Sequence, residues 1–355
     1  MKKIALYEPF YKGSHKYWAD SLIENSIHHF DLHAKNGVFW KWRVLQSSIA
    51  LDLKDNHSYD IILSTNMVNL AAWAGINRQY LNNTELIHYF HESQLSYPSQ
   101  NDKDQNLYGF IDITSALCAD RVAFNSTYHL NTFLKSVEDL SLKLPDKIPS
   151  DVIENIRCKS TVLPIGIDLK KILRAKIEKQ NEIPVILWNH RHENDKNPDL
   201  FFETLFKIKN KGIKFQLVVL GNSPKKNLPI FDLAKERLND EILIFEAVKS
   251  YEDYLYWLWR SDILPVTSNH DFFGISVLEA ALCRNHLLLP KRNAYCDHFP
   301  MDQFTEHYYD EAQQLESKLT DLLINKNFHT LDTAQIPHKY SWDSVAEIYD
   351  HFFNN

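Results

Sequence analysis

The sequence predicts an α/β protein with two doubly wound, Rossmann-like domains, and two observations support this prediction. Short apolar segments alternate with amphipathic helical patterns, which is typical of parallel sheets covered by helices. A polar, charged stretch at 168–182, which we interpret as a linker, interrupts the alternation before it starts again. We therefore expect a first domain over 1–170 and a second over 171–340, with a C-terminal helix at about 341–355 packing back on the first.

The predicted elements follow this alternation in order. In the first domain we expect strands at 4–9, 30–34, 59–65, 85–91, 121–126 and 161–165, and helices that include 16–27 and 107–119. In the second we expect strands at 184–188, 215–221, 241–246, 263–268 and 286–290, and helices at 197–210, 229–238, 250–261, 274–283 and 342–353. Ligands of open α/β sheets bind at the carboxyl ends of the strands. We therefore expect the two domains to face across a cleft lined by residues that directly follow strands.

The composition narrows the class of protein. A formal net charge of −7 argues against a generally basic surface for nucleic acid. No segment is long and apolar enough to span a bilayer, so we expect no membrane contact. The four cysteines are scattered and fit reduced thiols, which predicts a cytoplasmic location.

One local basic patch remains within this acidic chain. Trp40, Lys41, Trp42 and Arg43 interleave cations and indole rings, a combination that can stack on an unpaired base and meet phosphate. Packing of the two tryptophans in the core is the alternative interpretation. Both interpretations stay open at this point.

The most informative motif lies in the second domain. Asp271 and Glu279 flank a Phe-Phe-Gly turn between a predicted strand and a predicted helix. A helix N-terminus attracts phosphate, and a carboxylate can accept hydrogen bonds from sugar hydroxyl groups. This motif predicts a nucleotide-sugar site.

The loop after the first strand of the same domain carries Arg191 and Lys196, which predict a clamp on a diphosphate. His190 and His192 in that loop lack further ligands at the usual spacing, so we expect no zinc there and no metal requirement. The Asp-Lys-Asp sequence at 102–104 resembles a metal motif, but it falls in a predicted polar loop, 99–106, and we interpret it as chance.

Two segments of the first domain also follow predicted strands. Gly13 follows the first strand, where it lets the backbone approach a phosphate or sugar or simply forms a loop. His91 and Glu92 end the fourth strand, where it is expected to open into the cleft.

Several of these motifs together resemble the retaining glycosyltransferases of family 4, which have the GT-B fold. The resemblance is carried by the two acids Asp271 and Glu279, the pair Arg191 and Lys196, and the turns at 163–168 and 219–222. Within that family, the segments 13–16, 89–98, 124–126, 190–196 and 270–274 resemble the enzymes that transfer mannose from GDP-mannose to queuosine in tRNA.

The resemblance implies a role for each matching residue. Glu279 would hold the donor's ribose, and Arg191 and Lys196 would neutralise the leaving diphosphate. His91 and Asp271 would lie at the transferred sugar. The remaining donor contacts would be Gly13, Ser14, Phe273, Gly274, Ile275 and, from its position, Val248. We expect Glu92, together with the basic patch, to bind the acceptor.

The chain departs from the family pattern in two places. Asp271 stands where members usually carry Glu, and Arg284 and Asn285 stand where glycine is common. The donor base and sugar, the acceptor nucleoside and the oligomeric state stay open. Alternatives are a family 4 enzyme with another nucleotide sugar or with a glycan, lipid or small-molecule acceptor, and a non-catalytic protein that binds tRNA or a nucleotide sugar.

Overall fold

The structure is a computed structural model that describes residues 1–50, 59–81, 83–97, 102–222 and 228–355, without the side chains of 102–104. It divides into two compact units, Met1–Gly166 with Trp342–Asn355, and Ile167–Ser341. Each unit contains a six-stranded parallel sheet. The predicted α/β class is therefore confirmed.

The first unit is built from six strands and the helices that connect them. The strands are β1 (Lys3–Tyr11), β2 (His29–Asn36), β3 (Ile61–Thr65), β4 (Glu85–Phe90), β5 (Arg121–Phe124) and β6 (Ser160–Val162). The helices are α1 (Gly13–Asn25), α2 (Trp40–Ala50), α3 (Leu70–Asn77), α4 (Asp102–Cys118), α5 (Thr127–Ser141) and α6 (Ser150–Cys158), with a 3₁₀ turn at Arg78–Tyr80. The strand order is β2-β1-β3-β4-β5-β6. All five residues of β3 are buried, as expected for a strand covered on both faces.

The second unit repeats the same architecture. Its strands are β7 (Val185–Trp188), β8 (Gln216–Val219), β9 (Ile242–Phe245), β10 (Ile263–Pro265), β11 (His286–Pro290) and β12 (Tyr308–Tyr309). Its helices are α7 (Leu169–Arg174), α8 (Pro198–Asn210), α9 (Pro229–Arg237), α10 (Tyr251–Arg260), α11 (Ile275–Leu282), α12 (Tyr295–His298) and α13 (Ala312–Asn325), with 3₁₀ segments at Asn194–Lys196, Thr305–His307 and Thr333–Tyr340. The order β12-β11-β10-β7-β8-β9 is that of a Rossmann sheet.

The strand order of each unit determines where a ligand can bind. In the second unit the order reverses between β7 and β10, so the loops that follow these two strands diverge and open a crevice. Arg191 and Lys196 lie in the loop after β7, and Asp271 lies in the loop after β10. In the first unit the corresponding point lies between β1 and β3, where Gly13 follows β1.

The helix α14 (Trp342–Asn354) belongs to the first unit although it follows the second in sequence. Trp18 in α1 donates a hydrogen bond from Nε1 to the Tyr349 hydroxyl at 2.9 Å. The guanidinium of Arg121 lies 4.2 Å from the ring centroid of Phe352 and donates to its carbonyl. These contacts attach α14 to α1 and to the start of β5.

The structure differs from the prediction in three places, and a polar helix cap explains the first of them. The predicted linker at 168–182 contains α7, since the Asp168 carboxylate caps it by accepting from the backbone N–H of Lys171 at 2.9 Å. The predicted polar loop at 99–106 gives way to α4 at Asp102. The aromatic and basic stretch that begins at Trp40 forms the helix α2, which we did not predict.

Two helix starts that we did predict are confirmed. Asn197 Oδ1 accepts from Leu200 N at 3.4 Å in front of α8, and Ser250 Oγ accepts from Asp253 N at 3.0 Å in front of α10. Across the described residues, a search of the helices finds no candidate for a membrane span.

Candidate functional site

The second unit brings a buried cation against two carboxylates at its crevice. The Lys196 ammonium donates to the His270 carbonyl at 2.9 Å, and it lies 3.5 Å from Asp271 Oδ2 and 3.3 Å from Asp195 Oδ2. Its side chain is only 10% exposed. A charge at that depth is stable only with charged and hydrogen-bonding partners, and Lys196 has both.

The Asp271 carboxylate has further partners. The Tyr295 hydroxyl donates to its Oδ2 at 3.0 Å, and the Phe273 N–H donates to its Oδ1 at 3.4 Å. Burial pushes the pKa of Asp271 upwards, but the charge of Lys196 and these hydrogen bonds outweigh burial and leave the pKa below its usual value. Asp271 is therefore ionised at neutral pH.

Gly274 makes the tight turn between Asp271 and α11 possible. Its φ is +80°, and a Cβ there would lie 2.8 Å from Tyr295 Cε1. Glycine accepts this backbone conformation and leaves room for the tyrosine ring. The turn delivers Ile275 as the first residue of α11, whose first-turn N–H groups face outward from the helix start.

Glu279 lies one turn further into α11 and is buried. Its Oε1 accepts from the Tyr251 hydroxyl at 2.9 Å and its Oε2 from the Tyr254 hydroxyl at 2.8 Å. Burial raises the pKa of Glu279, and the two tyrosine hydrogen bonds oppose the rise. Neither tyrosine was predicted as a site residue, although their spacing of three residues on a helix places them on one face.

Three other residues that the motifs singled out in this unit lie in loops that follow its strands. Arg191 is 55% exposed, and its Nη1 lies 3.2 Å from Glu193 Oε2. Val248 is half-buried in the loop between β9 and α10. Gly221, at φ +113°, lets the chain pass the His190 carbonyl, which would lie 2.1 Å from a Cβ.

His190 and His192 both have protein partners in the structure. His190 Nδ1 lies 3.4 Å from Ser276 Oγ, and the His192 ring stacks on Phe231 at 4.1 Å. Burial lowers the pKa of His190 to about 4, so its ring is neutral at pH 7.

The first unit gathers a second cluster, formed by Glu8, His15 and His91. His15 Nδ1 lies 2.9 Å from Glu8 Oε2, and His91 Nε2 lies 3.7 Å from the same oxygen. All three residues are buried, and their ligand atoms lie within 4.8 Å of one another, so this group could hold a divalent cation. Glu8 and His15 were not predicted as site residues, although a glutamate inside an apolar strand is unusual and indicates a charged or hydrogen-bonding partner.

The predicted residues around this cluster are more exposed. Gly13 adopts φ +57°, with open space where a Cβ would point, so the position requires glycine for its backbone and not for packing. Ser14 beside it is exposed. Glu92 is half-buried and accepts a hydrogen bond from Gln94 Nε2 at 3.0 Å.

Asp112 anchors the loop after His91, a role that was not predicted. Its Oδ2 accepts from Ser93 Oγ at 3.2 Å and from Gln94 N at 3.0 Å. Burial raises the pKa of Asp112 to about 8, against the lowering effect of these hydrogen bonds.

The structure separates the two tryptophans of the basic patch. Trp40 packs on Tyr108 with ring centroids 5.0 Å apart, whereas Trp42 is 61% exposed. Lys41 is exposed, and the Arg43 guanidinium donates from Nε to the Asn36 carbonyl at 3.1 Å. Core packing therefore applies to Trp40, and a surface role remains open to Trp42.

Comparisons with known proteins agree with this division of the chain. A model of the N-terminal region of tRNA-queuosine alpha-mannosyltransferases matches residues 3–167, and a model of group 1 glycosyl transferases matches residues 170–332. A tRNA-queuosine alpha-mannosyltransferase from Drosophila melanogaster is 32% identical over 331 residues, which cover 89% of this chain and 85% of that protein.

Solved structures show the fold. A sucrose-phosphate synthase from Thermosynechococcus elongatus matches with a TM-score of 0.73 at 14% identity, covering 100% of this chain and 98% of that one. The catalytic domain of starch synthase IV from Arabidopsis thaliana matches with a TM-score of 0.67 at 12% identity, covering 100% and 99%. The predicted GT-B fold is confirmed. From its likeness to the Drosophila enzyme over most of both sequences, the chain belongs to the tRNA-queuosine alpha-mannosyltransferase family and is a glycosyltransferase.

Proposed function

We propose that this chain transfers mannose from GDP-mannose to queuosine in tRNA with retention of the anomeric configuration and without a metal ion. The observation that carries the proposal is the 32% identity with a tRNA-queuosine alpha-mannosyltransferase over 331 residues. The buried pair of Lys196 and Asp271 at the switch point of the second sheet supports it, because ligands of open α/β sheets bind at such points.

Glu279 is proposed to bind the donor's ribose. Both of its oxygens already accept a tyrosine hydroxyl, but an ionised carboxylate has about four lone-pair positions and can accept further hydrogen bonds. Tyr251 and Tyr254 fix the direction of the remaining lone pairs. Val248 is proposed to contact the base from the loop before α10.

The leaving diphosphate is proposed to meet Arg191 and the first turn of α11. The Lys196 charge is shared with two aspartates, whereas the more exposed Arg191 guanidinium can reach phosphate oxygens in a bidentate way. The backbone around Phe273, Gly274 and Ile275 adds helix-terminus N–H groups. This positive potential stabilises the charge that grows on GDP as the sugar departs.

The transferred sugar develops positive charge at its anomeric carbon when the bond to the diphosphate weakens. Asp271, held ionised by Lys196, is proposed to stabilise this charge electrostatically and not as a nucleophile. On the first unit, His91 is proposed to contact the sugar, and Gly13 with Ser14 the diphosphate. These roles rest on the family resemblance.

The acceptor side is proposed to use the exposed face at the start of α2. Trp42 can stack on an unpaired base, while Lys41 and Arg43 meet phosphate. Glu92 is proposed to hydrogen-bond the acceptor. The cytoplasmic location and a reaction away from membranes stay predictions.

The test offers several nucleotide sugars to the full chain together with tRNA from cells that contain or lack queuosine. We expect one added hexose on the queuosine nucleoside by mass spectrometry, with GDP-mannose only. Equal labelling of both tRNAs, or labelling from another sugar nucleotide, would contradict the proposed acceptor or donor. Slow GDP release without tRNA would support an active transferase over a non-catalytic binding protein.

A further inference from the structure

Glu8 stands out in the first unit because a fully buried carboxylate occupies an otherwise apolar strand. Its exposure is 0%, and its neighbours in β1 from Ile4 to Tyr7 are all buried hydrophobic residues. Burial of such a group is costly unless both oxygens are satisfied. Its partners therefore indicate what it does.

The two oxygens of Glu8 have different partners. Oε1 accepts from the backbone N–H of Phe10 at 2.8 Å. Oε2 lies 2.9 Å from His15 Nδ1, which is a hydrogen bond, and 3.7 Å from His91 Nε2, which is not. A carboxylate only accepts hydrogen bonds, which places the His15 proton on the nitrogen that faces it.

The His91 ring is fixed in place by its surroundings. The rings of His15, Trp18 and Tyr89 lie at centroid distances of 4.2, 4.6 and 4.8 Å. Its backbone N–H donates to Asn66 Oδ1 at 3.1 Å, and its carbonyl accepts from Asn125 Nδ2 at 2.9 Å. The ring cannot turn to another partner without displacing these groups.

One nitrogen of this fixed ring lacks a hydrogen bond. His91 Nε2 is buried and, among the described residues, has no partner within hydrogen-bonding distance. Oε2 of Glu8 stands just beyond that distance, so a shift of less than one ångström would complete the bond.

We infer that Glu8 is a positioning residue for His91: its carboxylate, shared with His15, keeps the His91 proton on Nε2 and leaves Nδ1 as the ring's hydrogen-bond acceptor. Nδ1 then suits a ligand hydroxyl group. This last step rests on the proposed function, whereas the position of the proton does not.

The protonation state of the ring agrees with this assignment. Burial, followed by the nearby His15 and His129, lowers the pKa of His91 well below its ordinary value. The ring is therefore neutral at pH 7, with one donor and one acceptor nitrogen. Which nitrogen carries the proton is set by the group beside it, and here that group is a carboxylate.

The same three side chains could instead bind a divalent cation. A metal at His91 Nε2 requires that nitrogen to be unprotonated, and it would replace the hydrogen bond between Glu8 and His15. The two assignments thus predict opposite tautomers of His91.

The tautomer can be measured directly on the full chain. In ¹⁵N-labelled protein, two-bond ¹H–¹⁵N correlation of the imidazoles reports which nitrogen is protonated, and a His91→Gln variant assigns the signals. We expect the Nε2–H form in the wild type. In Glu8→Gln, whose amide can donate to the ring, we expect a shift towards the Nδ1–H form and a loss of transfer by roughly 10- to 100-fold.

His88 supplies the internal control. It lies on β4, which directly precedes His91, is fully buried, and its Nδ1 lies 2.7 Å from Ser64 Oγ. Its signals must stay unchanged in Glu8→Gln, which shows that the strand is intact. If the variant does not fold, the wild-type spectrum still decides.

Three results would overturn the inference. The first is an Nδ1–H tautomer of His91 in the wild type, and the second is an unchanged tautomer in Glu8→Gln. The third is one tightly bound zinc per chain, measured by elemental analysis, that disappears in Glu8→Gln. Because no donor or tRNA is present, none of these results depends on whether the proposed reaction is correct.

Discussion

The ammonium group of Lys196 lies 3.5 Å from the carboxylate of Asp271, and both side chains are at least four-fifths buried. This pair joins the loop after β7 to the loop after β10. Breaking a buried ion pair from one side leaves an uncompensated charge. Lys196 therefore contributes to the stability of the fold as well as to the proposed site.

Replacement of Lys196 by methionine is expected to destabilise the protein by about 3 kcal/mol and to reduce transfer by at least roughly 100-fold. Arg191→Ala is the matched comparison, because that side chain is 55% exposed. We expect it to lose transfer to a similar degree while the free energy of unfolding changes by less than about 0.5 kcal/mol. Urea unfolding and GDP release measure the two effects. Wild-type transfer by Arg191→Ala would exclude its contact with the diphosphate.

Gly274→Ala is expected to destabilise the protein by about 1–3 kcal/mol, since φ is +80° and the new methyl group would lie 2.8 Å from Tyr295. The control is Gly75→Ala inside α3, where a Cβ meets nothing within 4 Å. That change is expected to be neutral or to stabilise by about 0.5–1 kcal/mol. Thermal unfolding of both variants tests the contrast, and equal effects would contradict it.

The stability of the protein is expected to depend on pH through Asp112. Its pKa is raised from 3.8 to about 8 by burial, so between those values the folded state binds more protons than the unfolded state. Stability from this group is therefore lost as pH rises, by up to about 1.4 kcal/mol per pH unit. Glu92 is the neighbouring charge that adds to the rise.

Urea unfolding at several pH values between 5 and 8 tests this dependence. Asp112→Asn should flatten the decline, and Asn keeps one oxygen for the N–H of Gln94. Asp321→Asn, on an exposed position of α13, should leave it as in the wild type. Parallel curves for the wild type and Asp112→Asn would show that Asp112 does not titrate in this range.

Substitution of the two tryptophans at the start of α2 is expected to have different effects, one on stability and the other on tRNA binding. Trp40→Ala removes the packing on Tyr108 and should cost about 2 kcal/mol or more. Trp42→Ala, at a side chain that is 61% exposed, should leave stability nearly unchanged and weaken tRNA binding. Filter binding at two salt concentrations measures the second effect. Unchanged tRNA affinity in Trp42→Ala would remove this surface from the proposal.

The sequence predicted most strands and the residues that follow them, because buried parallel strands are continuous apolar runs and loops after them are short. Asp271, Glu279, Arg191 and Lys196 could be found in this way. The sequence did not reveal how deeply these side chains are buried. Lys196 was predicted as half of a diphosphate clamp, but its buried partners Asp271 and His270 come from another strand end and could not be predicted.

The missed residues share a physical cause. Their hydrogen bonds join segments that are distant in sequence and meet only when parallel strands and helices are placed side by side. The pairs are Glu8 with His15, Asp112 with Ser93, and Glu279 with Tyr251. A hydrogen bond between segments leaves no period in the sequence. The helix α2 was missed for a different reason, since its exposed Trp42 and Ile49 blur the apolar face that marks an amphipathic helix.

The return of α14 to the first unit has a consequence for biosynthesis. As the nascent chain leaves the ribosome, Trp18 in α1 cannot contact Tyr349 until the whole second unit has been translated. The first unit therefore cannot reach its final form on its own, and the surface that α14 covers is open to chaperones during that interval. The two units therefore cannot complete their folding one after the other in the order of synthesis.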